Sequence, residues 1–181
     1  MSRTIPFLLA FICLFLIMLE GTLANVLTDI SFLPSDWQVT SHFLLIFVIF
    51  ITIFFDQRNT YYSFLFAVLF GLFIDILYTP VIGIYLFVYA VAIYIVRNLM
   101  KWLHANFYVT VLMMILGVFT ADILAYFLYN IIQIHNMGWN DYFFHRLLPT
   151  TGWNVGIGIV FYPLIYKLLR KWQYIKFEQK D

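Results

Sequence analysis

Six long apolar segments, separated by short polar connections, constrain this sequence more than any other feature. They cover approximately residues 5–24, 39–55, 60–78, 80–96, 107–134 and 150–169. Each is close to the roughly 20 apolar residues that a helix needs to cross the hydrocarbon core of a bilayer, although the second and fourth are short. The second segment is uniformly aliphatic and aromatic, so it is predicted to face lipid. The predicted fold class is therefore all-α, a polytopic membrane protein with six transmembrane helices.

The composition agrees with a chain that lies mostly in lipid. Of 181 residues, 64% are hydrophobic and 10% are charged, whereas soluble domains are about 45–50% apolar and about 25% charged. The connections are too short for a soluble domain, so residues 1–181 are predicted to form one transmembrane domain. A net charge of +1 gives no indication of nucleic-acid binding. The one cysteine, Cys13, is predicted to be structural.

The basic residues predict the orientation of this domain. If the N-terminus is cytoplasmic, nine of the ten Lys and Arg residues fall on the cytoplasmic side and only Arg146 falls outside. This positive-inside distribution predicts that both termini are cytoplasmic. An alternative interpretation of the first segment is a signal peptide cleaved after Ala24.

The C-terminal residues 170–181 are predicted to form a basic cytoplasmic tail. Basic and aromatic side chains next to a membrane helix are typical of contact with anionic lipid, and a docking site for a cytoplasmic partner is the alternative. The residues predicted to contact the membrane surface are Lys167, Arg170, Lys171 and Trp172.

Asp75 interrupts the third apolar segment with a carboxylate. A charged Asp at the centre of a bilayer costs about 2.5–3.5 kcal/mol, so such residues usually face protein or a water-filled cavity. Four-residue steps back from Asp75 reach small residues, which allow another helix to approach closely. These small residues are Ser63, Ala67 and Gly71. We predict a packing and recognition face, and we expect Asp75→Leu to insert normally but to lose a partner.

The turn after Asp75 is predicted to be tight. Pro80 cannot continue the third helix, and Thr79 is placed to cap a fourth helix that has Pro80 in its first turn. The third and fourth helices are therefore predicted to be antiparallel neighbours.

Two further acidic residues, Glu20 and Asp122, belong to predicted helices that run in the same direction as the helix of Asp75. One interpretation is a set of acids that line a shared cavity or a partner groove. The alternative is that each carboxyl group is buried, protonated and bonded to neighbouring Tyr, Thr or backbone groups. Asp122 also follows a small residue, Gly117, in a weak echo of Gly71 and Asp75.

The last segment carries polar and small residues at helical spacing. Thr150 and Asn154 are four residues apart, and Gly152 and Gly156 form a GxxxG spacing. Both features are typical of helix–helix association in membranes.

No enzyme is predicted. The four histidines have no metal-ligand spacing, and no phosphate-binding loop or nucleophile motif is present. The sequence therefore predicts neither a catalytic site nor a cofactor.

Two motifs carry a resemblance to a known family. The third segment has the form Gly-Leu-x-x-Asp-(x)4-Pro followed by a glycine, and the last segment is entered by Arg-Leu-Leu-Pro-Thr and contains an asparagine. The matching residues are Gly71, Asp75, Pro80, Gly83, Arg146, Pro149, Thr150 and Asn154. In size, topology and motif order the chain resembles the rod shape-determining MreD family.

The resemblance implies a non-enzymatic membrane scaffold of the bacterial cell-wall elongation complex. It implies binding to an MreC-like bitopic protein and, indirectly, to MreB, RodA and its transpeptidase, and a role in directing peptidoglycan synthesis. It also implies a fold similar to the substrate-binding subunits of energy-coupling-factor transporters. The alternative function is a vitamin-type transporter subunit, with Asp75, Asp122 and Asn154 lining an outward-facing pocket.

Overall fold

The computed structural model describes residues 4–29, 34, 36–134 and 137–178, and this part of the chain is helical without any β-strand. The predicted all-α class is thus confirmed. The helices in chain order are α1 (Ile5–Asp29), α2 (Phe43–Phe54), α3 (Tyr62–Tyr78), α4 (Ile84–Leu99), α5 (Phe107–Ile131), the short α6 (Trp139–Tyr142) and α7 (Leu148–Gln173). A π-helical turn (Phe143–Leu147) joins α6 to α7, and a second one (Tyr174–Glu178) follows α7.

The second helix begins later than predicted because the residues before it are tied to α7. The backbone N–H of Thr40 donates to the Thr150 hydroxyl at 3.2 Å, and the Asn154 side-chain amide donates to the Thr40 carbonyl at 2.7 Å. These bonds hold the residues before α2 outside the helix. The predicted start at residue 39 is therefore wrong, and α2 begins at Phe43.

The predicted cap of the fourth helix is also wrong. The helix starts at Ile84 rather than at Pro80, and Gly83 precedes it with a left-handed φ of 106°. The Thr79 hydroxyl donates instead to the carbonyls of Asp75, at 3.0 Å, and Val81, at 2.8 Å. Because glycine adopts positive φ without steric cost, Gly83 allows the chain to turn sharply into α4.

Other boundaries differ from the predictions at their ends. The first helix continues beyond residue 24 to Asp29, and the third starts at Tyr62 rather than at residue 60. The fifth helix ends at Ile131, before the predicted residue 134. The last helix extends to Gln173, so the predicted tail 170–181 begins as helix. Residues 179–181 lie outside the described part of the chain.

The central helix of the bundle is α2, which the uniform hydrophobicity of its sequence suggested would face lipid. All residues from Leu44 to Phe54 are buried, and α2 contacts α1, α3, α4, α5 and α7. A helix that is apolar all round fits either a protein core or lipid, so the sequence pattern could not distinguish the two environments. With 12 residues it is about 18 Å long at 1.5 Å per residue.

Three helices are long and apolar enough to cross a membrane. They are Ile5–Leu23 within α1, Phe107–Ile131, and the continuous helical segment Trp139–Glu178. The other three, α2, α3 and α4, are apolar helices of 12, 17 and 16 residues. Six complete spans therefore remain a prediction.

The helices alternate in direction, which gives the bundle two chemically different ends. At one end the start of α2 meets the start of α7, where the His42 N–H donates to Asn154 Oδ1 at 2.6 Å. At the other end the rings of Phe54 in α2 and Tyr166 in α7 are 5.0 Å apart. We call the first the polar end. We call the second the basic end, because Arg97, Lys101 and Arg170 lie there, in or just after the last turns of α4 and α7.

Candidate functional site: buried polar groups at the polar end

Asp75 binds the start of α4. Its carboxylate is fully buried and accepts hydrogen bonds from the backbone N–H groups of Gly83, Tyr85 and Leu86, at 3.0, 2.9 and 3.0 Å. These are among the N–H groups that have no partner inside an α-helix. A negative charge at this position also interacts favourably with the helix dipole. The carboxylate of α3 therefore acts as the cap of α4.

Glu20 makes the equivalent contact between α1 and α2. Its Oε1 accepts a hydrogen bond from the backbone N–H of Leu44 at 2.8 Å, in the first turn of α2. The residue is buried, with 8% of its surface exposed. His42 occupies the N-cap position of α2, but its side chain accepts no hydrogen bond from the backbone N–H groups of the helix. The acid from the preceding helix supplies that acceptor instead.

Asp122 connects α5 to the segment that enters α7. Its Oδ2 accepts a hydrogen bond from the Tyr142 hydroxyl at 2.8 Å, and its Oδ1 lies 3.5 Å from Arg146 Nε. The Asp122 side chain is 1% exposed and that of Arg146 is 18% exposed. The buried carboxylate is thus paired with a cation and a hydroxyl donor, as burial of a charge requires.

His42 joins this cluster from the start of α2. Its Nδ1 lies 2.9 Å from the Tyr89 hydroxyl, and its Nε2 lies 3.9 Å from Asp122 Oδ1. The second distance exceeds a hydrogen bond, and Nε2 has no partner among the described residues. The imidazole therefore packs beside the Asp122–Arg146 pair without a direct hydrogen bond to it.

Asn154 fixes the chain segment that precedes α2. Its side-chain oxygen accepts from the His42 N–H, and its amide group donates to the carbonyls of Thr40 and Thr150, at 2.7 and 2.8 Å. The side chain is fully buried. Two of these three hydrogen bonds, with Thr40 and His42, therefore join α7 to the residues before α2.

These contacts repeat along the chain. In three successive antiparallel pairs, α1–α2, α3–α4 and α5–α7, an acid on the first helix binds the beginning of the second helix or the segment that leads into it. The first two acids accept backbone N–H groups, whereas Asp122 uses side chains of the α6–α7 segment. The interpretation of the acids as buried groups bonded to neighbours agrees with this geometry.

The predicted small-residue face of α3 is turned into the bundle. Ser63, Ala67 and Asp75 have no exposed surface. A Cβ on Gly71 would lie 2.9 Å from the backbone of Tyr85 and Leu86, so α4 itself occupies the position of the close neighbour. The face packs within the chain, and its role toward a partner remains a prediction.

The other predicted residues lie in several different places. A Cβ on Gly117 would meet Ile49 of α2, and Pro149 is buried in the first turn of α7. Pro80 is exposed in the α3–α4 turn. Of the four residues predicted to contact the membrane surface, Trp172 is half-buried and the others, Lys167, Arg170 and Lys171, are exposed.

Sequence reasoning missed His42 and Tyr142 as members of the site. His42 has no metal-ligand spacing with the other histidines, and Tyr142 belongs to a short helix that the apolar pattern does not reveal. A tyrosine four residues before Arg146 was the only available signal, since that spacing places both side chains on one helix face.

The buried polar groups at this end of the bundle already form hydrogen bonds within the chain. Asp75, Asp122 and Asn154 each bind other parts of the same chain, which does not favour the transporter alternative, because that function needs them free for a ligand. Within the described residues, no group of three or more His, Cys, Asp or Glu side chains could hold a metal ion.

The fold and the site define an all-helical membrane protein whose buried polar groups hold neighbouring helices together. The family model of the rod shape-determining protein MreD matches residues 1–172. A curated rod shape-determining protein MreD of Bacillus subtilis (strain 168) is 25% identical over 167 residues, which cover 89% of this chain and 95% of that protein. The chain belongs to the MreD family, and this membership supports a role in rod-shape determination. No solved structure matches it, so the expected likeness to transporter subunits remains a prediction.

Proposed function

We propose that this protein is a non-enzymatic scaffold of the bacterial cell-wall elongation complex. It lies in the cell membrane with six spans and both termini in the cytoplasm, and it binds an MreC-like bitopic protein. Through this partner it acts on MreB, RodA and the transpeptidase of RodA, and so helps to direct peptidoglycan synthesis. Membership of the MreD family supports this proposal.

The two ends of the bundle support the proposed orientation. Arg97, Lys101 and Arg170 lie at the basic end, where α4 and α7 finish. Arg146 lies near the polar end and is partly neutralised by Asp122. Because cytoplasmic ends of membrane helices carry an excess of Lys and Arg, the basic end faces the cytoplasm.

An exposed face of α7 supports the proposed contact with a partner helix. Residues four apart on this face are exposed, and a Cβ on either of its two glycines would meet no atom of the described residues within 4 Å. We call this face the glycine stripe; it consists of Leu148, Gly152, Gly156, Val160 and Leu164. By contrast, a Cβ on Gly158 of the same helix would meet Met114 and Ile46 in the core.

The glycine stripe suits one transmembrane helix of a bitopic protein. Two glycines one turn apart let helix backbones approach closely, so that van der Waals packing drives association in lipid. We therefore assign Ser63, Ala67, Gly71 and Asp75 to packing within the chain, and the glycine stripe to the MreC-like partner. The single observation that carries this assignment is that both glycines of the stripe are uncovered.

Gly156→Leu is expected to weaken partner binding strongly without harming the fold, because position 156 is exposed. The leucine side chain of Gly156→Leu occupies the space that the partner backbone needs, and overpacking of about 1–3 kcal/mol weakens association by roughly fivefold to a hundredfold. The measurement is co-purification of a tagged MreC-like protein from membranes, together with the melting temperature of each variant.

Gly156→Ala is the matched control. It keeps a small side chain on the stripe and is expected to retain most of the binding. If Gly156→Leu co-purifies the partner as well as the wild type does, the stripe is not the contact surface.

A further inference from the structure

A cavity of about 330 Å³ lies at the basic end of the bundle. It is formed by the end of α2, the α2–α3 connection and the residues at the end of α4. Six of its seven lining residues have polar or charged side chains; the lining consists of Thr52, Asp56, Gln57, Arg58, Arg97, Met100 and Lys101. Its volume is within the usual range for small-ligand sites.

Arg97 and Asp56 form the fixed wall of this cavity. Arg97 Nη1 lies 3.2 Å from Asp56 Oδ2, and Nη2 donates to the carbonyls of Gln57 and Arg58 at 3.3 and 3.2 Å. The guanidinium also lies over the Tyr61 ring, 4.1 Å from its centroid. Arg97 therefore holds the α2–α3 connection in one conformation.

The Asp56 carboxylate is engaged from several sides. It accepts hydrogen bonds from the backbone N–H groups of Tyr62 and Ser63, at 3.1 and 3.0 Å, and from the Ser63 hydroxyl at 2.5 Å. Burial raises the pKa of Asp56, while Ser63 and Arg97 oppose that effect. Asp56 is thus the cap of α3 and balances Arg97, and it leaves no free carboxylate in the cavity.

Two positive charges remain at the rim. Arg58 and Lys101 are both exposed, and with Arg97 paired to Asp56 the lining carries an excess of two positive charges. Lys101 Nζ donates one hydrogen bond, to Asn98 Oδ1 at 2.7 Å, and an ammonium group has three donors. The ligand that fits is an anion with several acceptor oxygens, of which a phosphate group is the natural example.

The residues that follow Lys101 in the chain have exposed apolar side chains. Trp102 is 86% exposed and Leu103 is 37% exposed, directly after Lys101. A soluble phosphate compound has no apolar group to pack against these side chains, whereas a phospholipid carries acyl chains close to its phosphate group. We propose that this cavity binds the phosphate group of an anionic phospholipid, with Arg58 and Lys101 as the contacting cations.

Lipid binding by the purified protein tests this proposal. The protein in detergent is titrated with phosphatidylglycerol or phosphatidylcholine, and bound lipid is counted by native mass spectrometry. We expect a preference for phosphatidylglycerol. We expect the double variant R58A/K101A to bind it about 30-fold more weakly, because two basic residues contribute about 1 kcal/mol each to attraction for anionic lipid.

The matched control keeps both positive charges at the rim. In R58K/K101R each position retains a cation, so this variant is expected to bind phosphatidylglycerol about as tightly as the wild type. Melting temperatures without lipid check that both double variants fold. Equal weakening in the two double variants, or no preference over phosphatidylcholine, would overturn the proposal.

Glycerol 3-phosphate distinguishes the two sources of a phosphate group. If it binds as tightly as phosphatidylglycerol, the site takes a soluble phosphate compound and the lipid assignment fails. None of these measurements involves the MreC-like partner, so they are independent of the proposed scaffold function.

Discussion

Asp75→Leu is expected to destabilise the bundle by about 3 kcal/mol or more. The substitution leaves the N–H groups of Gly83, Tyr85 and Leu86 without their acceptor in a buried site. Each buried donor left unpaired costs about 1–3 kcal/mol, so three such donors in a fully buried site cost about 3 kcal/mol or more. The free energy of unfolding, from titration with a denaturing detergent, measures the effect.

Two control variants separate the cap from general damage to α3. Ile76→Ala alters an adjacent side chain that is 60% exposed, so its effect is expected to be small. Asp75→Asn keeps one acceptor oxygen and is expected to lie between the wild type and Asp75→Leu. Equal stability of the Asp75→Leu and Ile76→Ala variants would show that the carboxylate does not cap α4.

This result would also change how loss of a partner is interpreted. The sequence alone suggested that Asp75→Leu would insert normally and lose only partner binding. The geometry indicates that any such loss would follow from a weakened α3–α4 pair. Stability must therefore be measured before a binding defect in an Asp75 variant is assigned to a lost contact.

Arg146→Leu is expected to lower the free energy of unfolding by about 3 kcal/mol, because it leaves the Asp122 carboxylate without its cation. Asp122 is buried and would lose its cation, and breaking a buried ion pair from one side typically costs about 3–5 kcal/mol. The partial exposure of Arg146 places the expected value at the lower limit. The free energy of unfolding again measures the effect.

The double variant D122N/R146L provides the control. Asparagine has no charge to compensate and still accepts a hydrogen bond from Tyr142, so the double variant is expected to be more stable than Arg146→Leu alone. A double-mutant cycle should give a coupling energy of about 1–3 kcal/mol. If the two substitutions are additive, Asp122 and Arg146 are not energetically paired.

The sequence predicted the helices better than it predicted their surroundings. Apolar length located each long helix, because hydrophobicity acts locally and needs no knowledge of neighbours. The environment of α2 was misjudged, because Leu44–Phe54 would read the same in lipid as in a core. The start of α4 was misjudged because its cap acceptor, Asp75, comes from the preceding helix rather than from the adjacent Thr79.

The polar residues show the same limit. Sequence reasoning selected Asp75, Asp122 and Asn154 because polar groups in apolar segments need partners. It could not identify those partners, since His42 and Asn154 are 112 residues apart and meet only through tertiary packing. Gly152 and Gly156 matched a common spacing, and only the packing of α7 shows that they face outward while Gly158 faces inward.

Site-directed cross-linking in membranes tests most directly whether the glycine stripe receives the partner. Cys13 is the one cysteine and is fully buried, so Cys13→Ala gives a background in which single cysteines can be placed at exposed positions. Cysteines at positions 152, 156 and 160 are predicted to cross-link to the membrane helix of the MreC-like protein, and cysteines at 73 and 76 on α3 are predicted not to. Cross-links from α3, with none from the stripe, would contradict the account.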